Sequence, residues 1–224
     1  MMRRCVGTWP RRWLVAVTLL LGAASAFIPD RSFAELSDPV QSLMSVTVPL
    51  LGILLIADLR RAPGTGLVAS LPAAVLVAAA IGGYGVLVCA LMTGGSWRDT
   101  PVVILGGVLV QVLAQLVGTG MALLLRSPWL AFPATFLPFV LWLALDDGSA
   151  RAWLTPYETA RHLLSGHMTQ QAWLQWLAVF ALWGIALNAA GAAAFAARRR
   201  DGGGSARGTP AGSLQSGHAG RNEG

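Results

Sequence analysis

Residues able to do acid–base, metal or thiol chemistry are few in this chain and lie far apart. The imidazoles are His162, His167 and His218, and the thiols are Cys5 and Cys89. His162 and His167 have no further ligand at a spacing that would close a metal site. His218 sits in a Gly- and Ser-rich tail. Cys5 falls near the start of the chain and Cys89 near the far end of the third apolar stretch, so the two read as free thiols rather than a disulfide. There is no lysine. A phosphate-cradling Gly-x-x-x-x-Gly-Lys-Ser/Thr loop is thereby excluded, and with it ATP hydrolysis by that route. The sequence predicts no catalytic residue, no metal site and no cofactor site; the chain does not read as an enzyme.

One polar cluster carries a trace of a catalytic pattern. Asp146-Asp147-Gly148-Ser149-Ala150-Arg151 resembles the Asp-Gly-x-x-Ala-Arg of CDP-alcohol phosphotransferases, but its spacing is one residue short. Gln170 and Leu174 stand where that motif needs two further Asp residues. Within the apolar stretches the only notable polar groups are Gln111 and Gln115, one helical turn apart, and Asn188. Such residues either line a substrate path or join helices by hydrogen bonds worth about 0.6 kcal/mol, up to about 1.7. Titratable groups are absent from the middle of every stretch, which argues against a proton-coupled carrier.

The elements holding these residues are membrane spans. Six stretches carry no charge: 13–29, 39–57, 62–97, 100–125, 127–145 and 162–197. A spanning helix needs about 20 mostly apolar residues, and a central charge costs roughly 2.5 to 3.5 kcal/mol on insertion scales. Hydrophobic residues make up 55% of the chain and charged residues 12%, the latter about half the share usual in soluble domains. The expected fold class is all-α, a polytopic membrane protein with six transmembrane helices at about 13–29, 40–57, 67–92, 101–125, 129–145 and 173–197.

Arginine placement orients them. The net charge is +6, and all sixteen basic residues are Arg. Segments 1–12, 58–66, 126 and 198–224 hold twelve of them; the alternate segments hold only Arg31, Arg98, Arg151 and Arg161. By the positive-inside rule both termini are cytoplasmic, which gives the net positive charge a membrane rather than a nucleic-acid meaning. The expected organisation is a cytoplasmic N-terminus 1–12, a six-helix domain 13–200 with an external segment 146–172, and a disordered cytoplasmic tail 201–224. A rival reading takes Ala24-Ser25-Ala26 as a signal-peptidase site, leaving five helices.

Finer features follow. Thr155-Pro156-Tyr157-Glu158 reads as a capping box with Pro at the first helical position. Ala160, Leu163 and Leu164 form the apolar face of a short external helix that Gly166 ends, lying on or dipping into the outer leaflet. Ala74, Ala78 and Gly82, with Gly106, Gly107, Gly118, Gly120, Gly184 and Gly191, offer small surfaces for close helix packing. Pro133 and Pro138 bend the fifth helix.

The layout resembles the membrane subunits of type-2 ABC exporters. Gly64-Thr65 followed by Leu71-Pro72 is similar to that family's first cytoplasmic loop. Gly118-Thr119-Gly120 through Arg126-Ser127 resembles its small-residue helix end and short basic turn. The run from Trp183 through Gly191 and Phe195 into Arg199-Arg200-Asp201 resembles its final span, and Pro156 fits the approach to that span. The chain departs from the family at Arg60, where Glu is frequent, and at Ala73 and Ala74, where basic residues are usual. The resemblance implies a permease subunit of a bacterial inner-membrane transporter, a homodimer or paired permease that exports its substrate and is driven by a separate P-loop ATPase subunit. Asp58, Arg60, Arg61, Gly64 and Thr65 are the expected coupling region, and Gln111, Gln115 and Asn188 the expected path. The other classes left open are a membrane scaffold protein and a membrane-embedded enzyme with an unrecognised site.

Overall fold

The computed structural model describes residues 8–27, 31–61, 67–94 and 101–204. All regular structure among the described residues is helical. Cys5, Gly64, Thr65 and the tail from 205 onward lie outside them.

Helix α1 spans Trp9–Ser25, entered through the N-cap Thr8 with Pro10 in its first turn. It starts ahead of the expected 13 because Arg11 is not an excluded charge. Arg11 is 2% exposed and its guanidinium lies 2.5 Å from the Asp58 carboxylate. Helix α2 spans Phe33–Arg61 and likewise starts ahead of its expected position. Its start is a capping box. The Ser32 N–H and hydroxyl donate to Glu35 Oε2 at 2.9 and 2.8 Å, and the Glu35 N–H reaches back to Ser32 Oγ at 3.4 Å. The box expected at Thr155 and Glu158 does not form. Thr155 is the N-cap, but its hydroxyl donates backwards to Arg151 O at 2.8 Å.

Helix α3 spans Leu67–Met92 and α4 spans Pro101–Leu124. The expected fifth helix is two pieces, α5 at Pro128–Ala134 and α6 at Leu137–Ala144. Pro138 has no N–H to offer the carbonyl four residues back, and the chain breaks at Thr135 and Phe136. The segment 146–172 holds two short helices rather than one, α7 at Gly148–Leu154 and α8 at Pro156–Leu164. Gly166, at φ +78°, turns the chain out of α8. The last helical rod comprises α9 at Gln170–Val179, a π-helical turn at Phe180–Ala186, and α10 at Leu187–Gly204.

Four helical rods are long and apolar enough to cross a membrane: Phe33–Arg61, Ser70–Met92, Pro101–Leu124 and Gln170–Arg198. Helix α1, at 17 residues, and the α5–α6 rod are shorter. Large apolar side chains such as Leu76, Leu91, Leu143, Leu177 and Ile185 stand exposed on the bundle, a surface suited to lipid rather than water.

Helix α4 is the centre. It packs on α2, α3, α8 and the α9–α10 rod, and glycines set its approaches. A β-carbon on Gly118 would lie 2.3 Å from Pro49 O of α2, one on Gly82 of α3 would lie 2.7 Å from Gly107 O, and one on Gly191 of α10 would lie 3.0 Å from Gly120 O. Ala74 and Ala78 are buried along the same α3 stripe. Contacts of Arg11 with Asp58, Thr18 with Thr47, and Gly22 with Met44 make α1 antiparallel to α2. Contacts of Gln41 with Gln111 and Arg60 with Arg126 make α2 parallel to α4. The α9–α10 rod runs parallel to α4 as well, from Asn188 beside Leu116 to Arg198 beside Leu124.

Candidate functional site: a basic end and a lateral cleft

The antiparallel and parallel pairings bring the start of α1 and the ends of α2, α4 and α10 together. At this end guanidiniums serve backbone carbonyls. Arg60 reaches from α2 to the last turn of α4, donating to Ala122 O, to Leu125 O at 2.6 Å and to Arg126 O at 2.5 Å. Arg198 donates to Leu124 O at 2.5 Å. These carbonyls have no helical donors of their own, and a cation there also meets the negative end of the helix dipole. Arg11 bridges Leu54 O, at 3.0 Å, and Asp58. Of the residues expected to couple to an ATPase, Asp58 and Arg60 are thus engaged inside the bundle. Arg61 is 81% exposed and lies 3.6 Å from Asp58. Gly64 and Thr65 lie outside the described residues.

The polar residues of the spans are buried in helix seams. Gln111 donates to Gln41 O at 2.8 Å and Gln41 Oε1 at 2.9 Å, and Gln41 passes the chain on to Gly82 O at 3.2 Å. The Gln41 amide lies in a slot made by glycines: β-carbons on Gly85 or Gly107 would come within 2.6 Å of its nitrogen. Gln115 turns its amide nitrogen to Val48 O at 2.9 Å and its oxygen to the Gly52 N–H at 3.2 Å. Those two backbone groups stand one helical turn apart in α2, beside Pro49. Asn188 donates to Leu116 O at 2.8 Å and to Gly184 O at 2.7 Å, and accepts from the Thr119 hydroxyl at 2.8 Å. It follows the π-helical turn, where the Leu187 N–H pairs with Leu182 O and the backbone register is shifted by one residue.

A cleft of about 490 Å³ lies elsewhere in the bundle, within the size range of small-molecule sites. Its floor is α4, with Val110, Leu113, Ala114 and Val117. One wall is α2, where Asp38, Ser42 and Ser45 lead down to Pro49. The other is α6 with Phe136 before it, and α8 with Tyr157 and Arg161. Helix α2 meets α5 at one end and α8 at the other, but α6 has little contact with α2 between them. The cleft therefore opens sideways, through exposed Ser42, Val46 and Phe136. Phe139, Trp142 and Tyr157 hold one another at centroid distances of 5.3 to 5.9 Å. Arg151 stacks 5.2 Å over Trp142 and donates to Leu145 O, closing the end of α6.

The two-helix segment carrying this wall docks on the bundle. Leu163 and Leu164 are buried, Leu163 against Gly106 of α4. Trp183 Nε1 donates to Leu154 O at 2.7 Å. His162 and His167 are exposed, and among the described residues no group of three His, Cys, Asp or Glu is placed to hold a metal. Gln111, Gln115 and Asn188 do not line the cleft; its polar groups come from residues with no marked spacing in the sequence. No family model, characterised protein or solved structure matches the chain.

Proposed function

We propose that the chain is the permease subunit of a bacterial type-2 ABC exporter, seated in the inner membrane with six crossings and both termini in the cytoplasm. The observation that carries this reading is the arrangement of helical rods. The shorter α1 and α5–α6 rods take their places beside the four long ones, and the Arg-bearing ends of α1, α2, α4 and α10 gather at one end, as the positive-inside rule requires of cytoplasmic ends. At the opposite end α7 and α8 cover the bundle, and a cleft opens between α2 and α6. A separate P-loop ATPase would engage the loop after α2, around Arg61, Gly64 and Thr65, and its closure would move α2 against α4. Arg60 and Asp58 transmit that motion because they tie the end of α2 to α4 and α1. Two permease and two ATPase subunits form the working unit.

Co-expression with the ATPase encoded nearest to this chain tests the reading. The two should co-purify from detergent, and Gly64→Leu should leave insertion intact while weakening ATPase association. A correctly inserted Gly64→Leu chain that couples like the parent removes the loop from the mechanism. Failure of any P-loop ATPase to co-purify favours the scaffold reading, which draws its support from Gln111, Gln115 and Asn188 being spent on helix-to-helix hydrogen bonds.

A further inference from the structure

The cleft contains two opposite charges that nothing in the fold uses. Asp38, on α2, and Arg161, on α8, both line it. Among the described residues neither has an ion-pair partner, and they do not pair with each other. The contrast with the basic end is sharp, since there Arg11, Arg60 and Arg198 are all bound to carbonyls or carboxylate. Asp38 is half-buried, Arg161 exposed. Each charge is therefore available to an opposite charge on a ligand. Below the two charges the lining changes character. Ser42 and Ser45 follow Asp38 down α2, and then the lining is apolar, with Leu113 and Val117 buried on the floor and Val46 and Phe136 at the open side. The gradient runs from charged to polar to apolar over about three turns of α2, and the side of the cleft is open where α6 stands away from α2.

We infer that this cleft binds a single-chain zwitterionic amphiphile that enters sideways from the lipid, its cationic group at Asp38, its anionic group at Arg161 and its aliphatic chain between α2 and the Phe136–Phe139 wall. Charge complementarity selects the class. A purely anionic amphiphile leaves Asp38 unpaired and faces it, and a purely cationic one does the same at Arg161. A volume of about 490 Å³ suits one chain better than two. That such a molecule is the transported substrate rests on the permease reading; that it binds here does not.

The test uses the full chain in lipid nanodiscs, following the change in tryptophan fluorescence to which Trp142 and Trp176 of the cleft lining contribute. The probes are lysophosphatidylethanolamine, lysophosphatidylglycerol, dodecyltrimethylammonium and dodecyl maltoside. The zwitterionic probe should bind about tenfold more tightly than the other three, the size of one charged hydrogen bond. Asp38→Asn should abolish the preference over lysophosphatidylglycerol, and Arg161→Gln the preference over dodecyltrimethylammonium, each leaving the affinity for dodecyl maltoside unchanged, which also reports that the variants are folded. Equal affinity for all four probes, or an unchanged preference in both variants, overturns the proposal. So does a Ser42→Cys chain that crosslinks to a second copy in membranes while failing to bind any probe, because the cleft is then covered by another subunit. None of these measurements involves an ATPase. The binding result and the co-purification result can therefore fail separately.

Discussion

A β-carbon at Gly118 would come 2.3 Å from Pro49 O and 2.6 Å from Pro49 Cα, backbone atoms that no rotamer change can move. Gly118→Ala should therefore force α2 and α4 apart, at a cost of about 2 to 3 kcal/mol. Gly83, with nothing within 4 Å, is the control: Gly83→Ala should be neutral or stabilise by up to about 1 kcal/mol through helix propensity. Unfolding in mixed micelles followed by circular dichroism reads both, and a silent Gly118→Ala would remove the close crossing. Asp58→Asn strips Arg11 of its counter-charge inside the bundle. Loss of one partner of a fully buried pair costs about 3 to 5 kcal/mol. Because the Asp58 side chain is 39% exposed, we expect about 2 kcal/mol here, with no further loss when Arg11→Gln is added; additive losses would show the two are uncoupled. Small residues at four-residue spacing were legible as packing surfaces, since a flat face has one use in lipid. Arg11 was not legible, because a charge near a span normally marks its end and here it is paired inside.

At the scale of elements, α2 carries a prepared weak point. Pro49 has no N–H for the carbonyl four residues back, and Gln115 from α4 serves both Val48 O and the Gly52 N–H. Gln115→Leu should cost about 1 kcal/mol and speed amide hydrogen exchange at Gly52 and its neighbours, leaving α3 unchanged. Exchange that rises uniformly through the bundle would mean that Gln115 supports the whole fold rather than this turn. Helix identity could be read from uncharged apolar length, but several helix ends could not. The break between α5 and α6 follows from Pro138, and a proline within an apolar run signals a bend without telling whether the run continues. Ser32-x-x-Glu35 was a readable capping box, hidden by the Asp38-Pro39 pair that follows it. Thr155-x-x-Glu158 has the same pattern, yet Thr155 makes no side-chain cap and its hydroxyl donates to Arg151 O.

For the whole molecule, orientation is the decisive property. In a chain lacking Cys5 and Cys89, a membrane-impermeant thiol reagent should label Thr169→Cys in intact cells and leave Gly203→Cys unlabelled; the reverse pattern would invert the topology proposed above. Mass measurement of the mature chain should return the uncleaved N-terminus, because α1 is locked to α2 through Arg11, Thr18 and Gly22. A new end at Phe27 would show that α1 is a leader. The cleft was the least legible feature, since five helices and the α5–α6 break each supply a few lining residues and no spacing within one stretch announces it. The dependence of α4 on α10 has a consequence for biogenesis. Helix α4 is synthesised early, with α1 to α3 already available to it, yet Leu124 O in its last turn and the Thr119 hydroxyl gain their partners Arg198 and Asn188 only near the end of translation. Until then a nascent chain presents an incomplete central helix. A message truncated before Arg198 would yield a bundle with an unsealed core, and such a chain should be degraded faster than one that extends past Arg198.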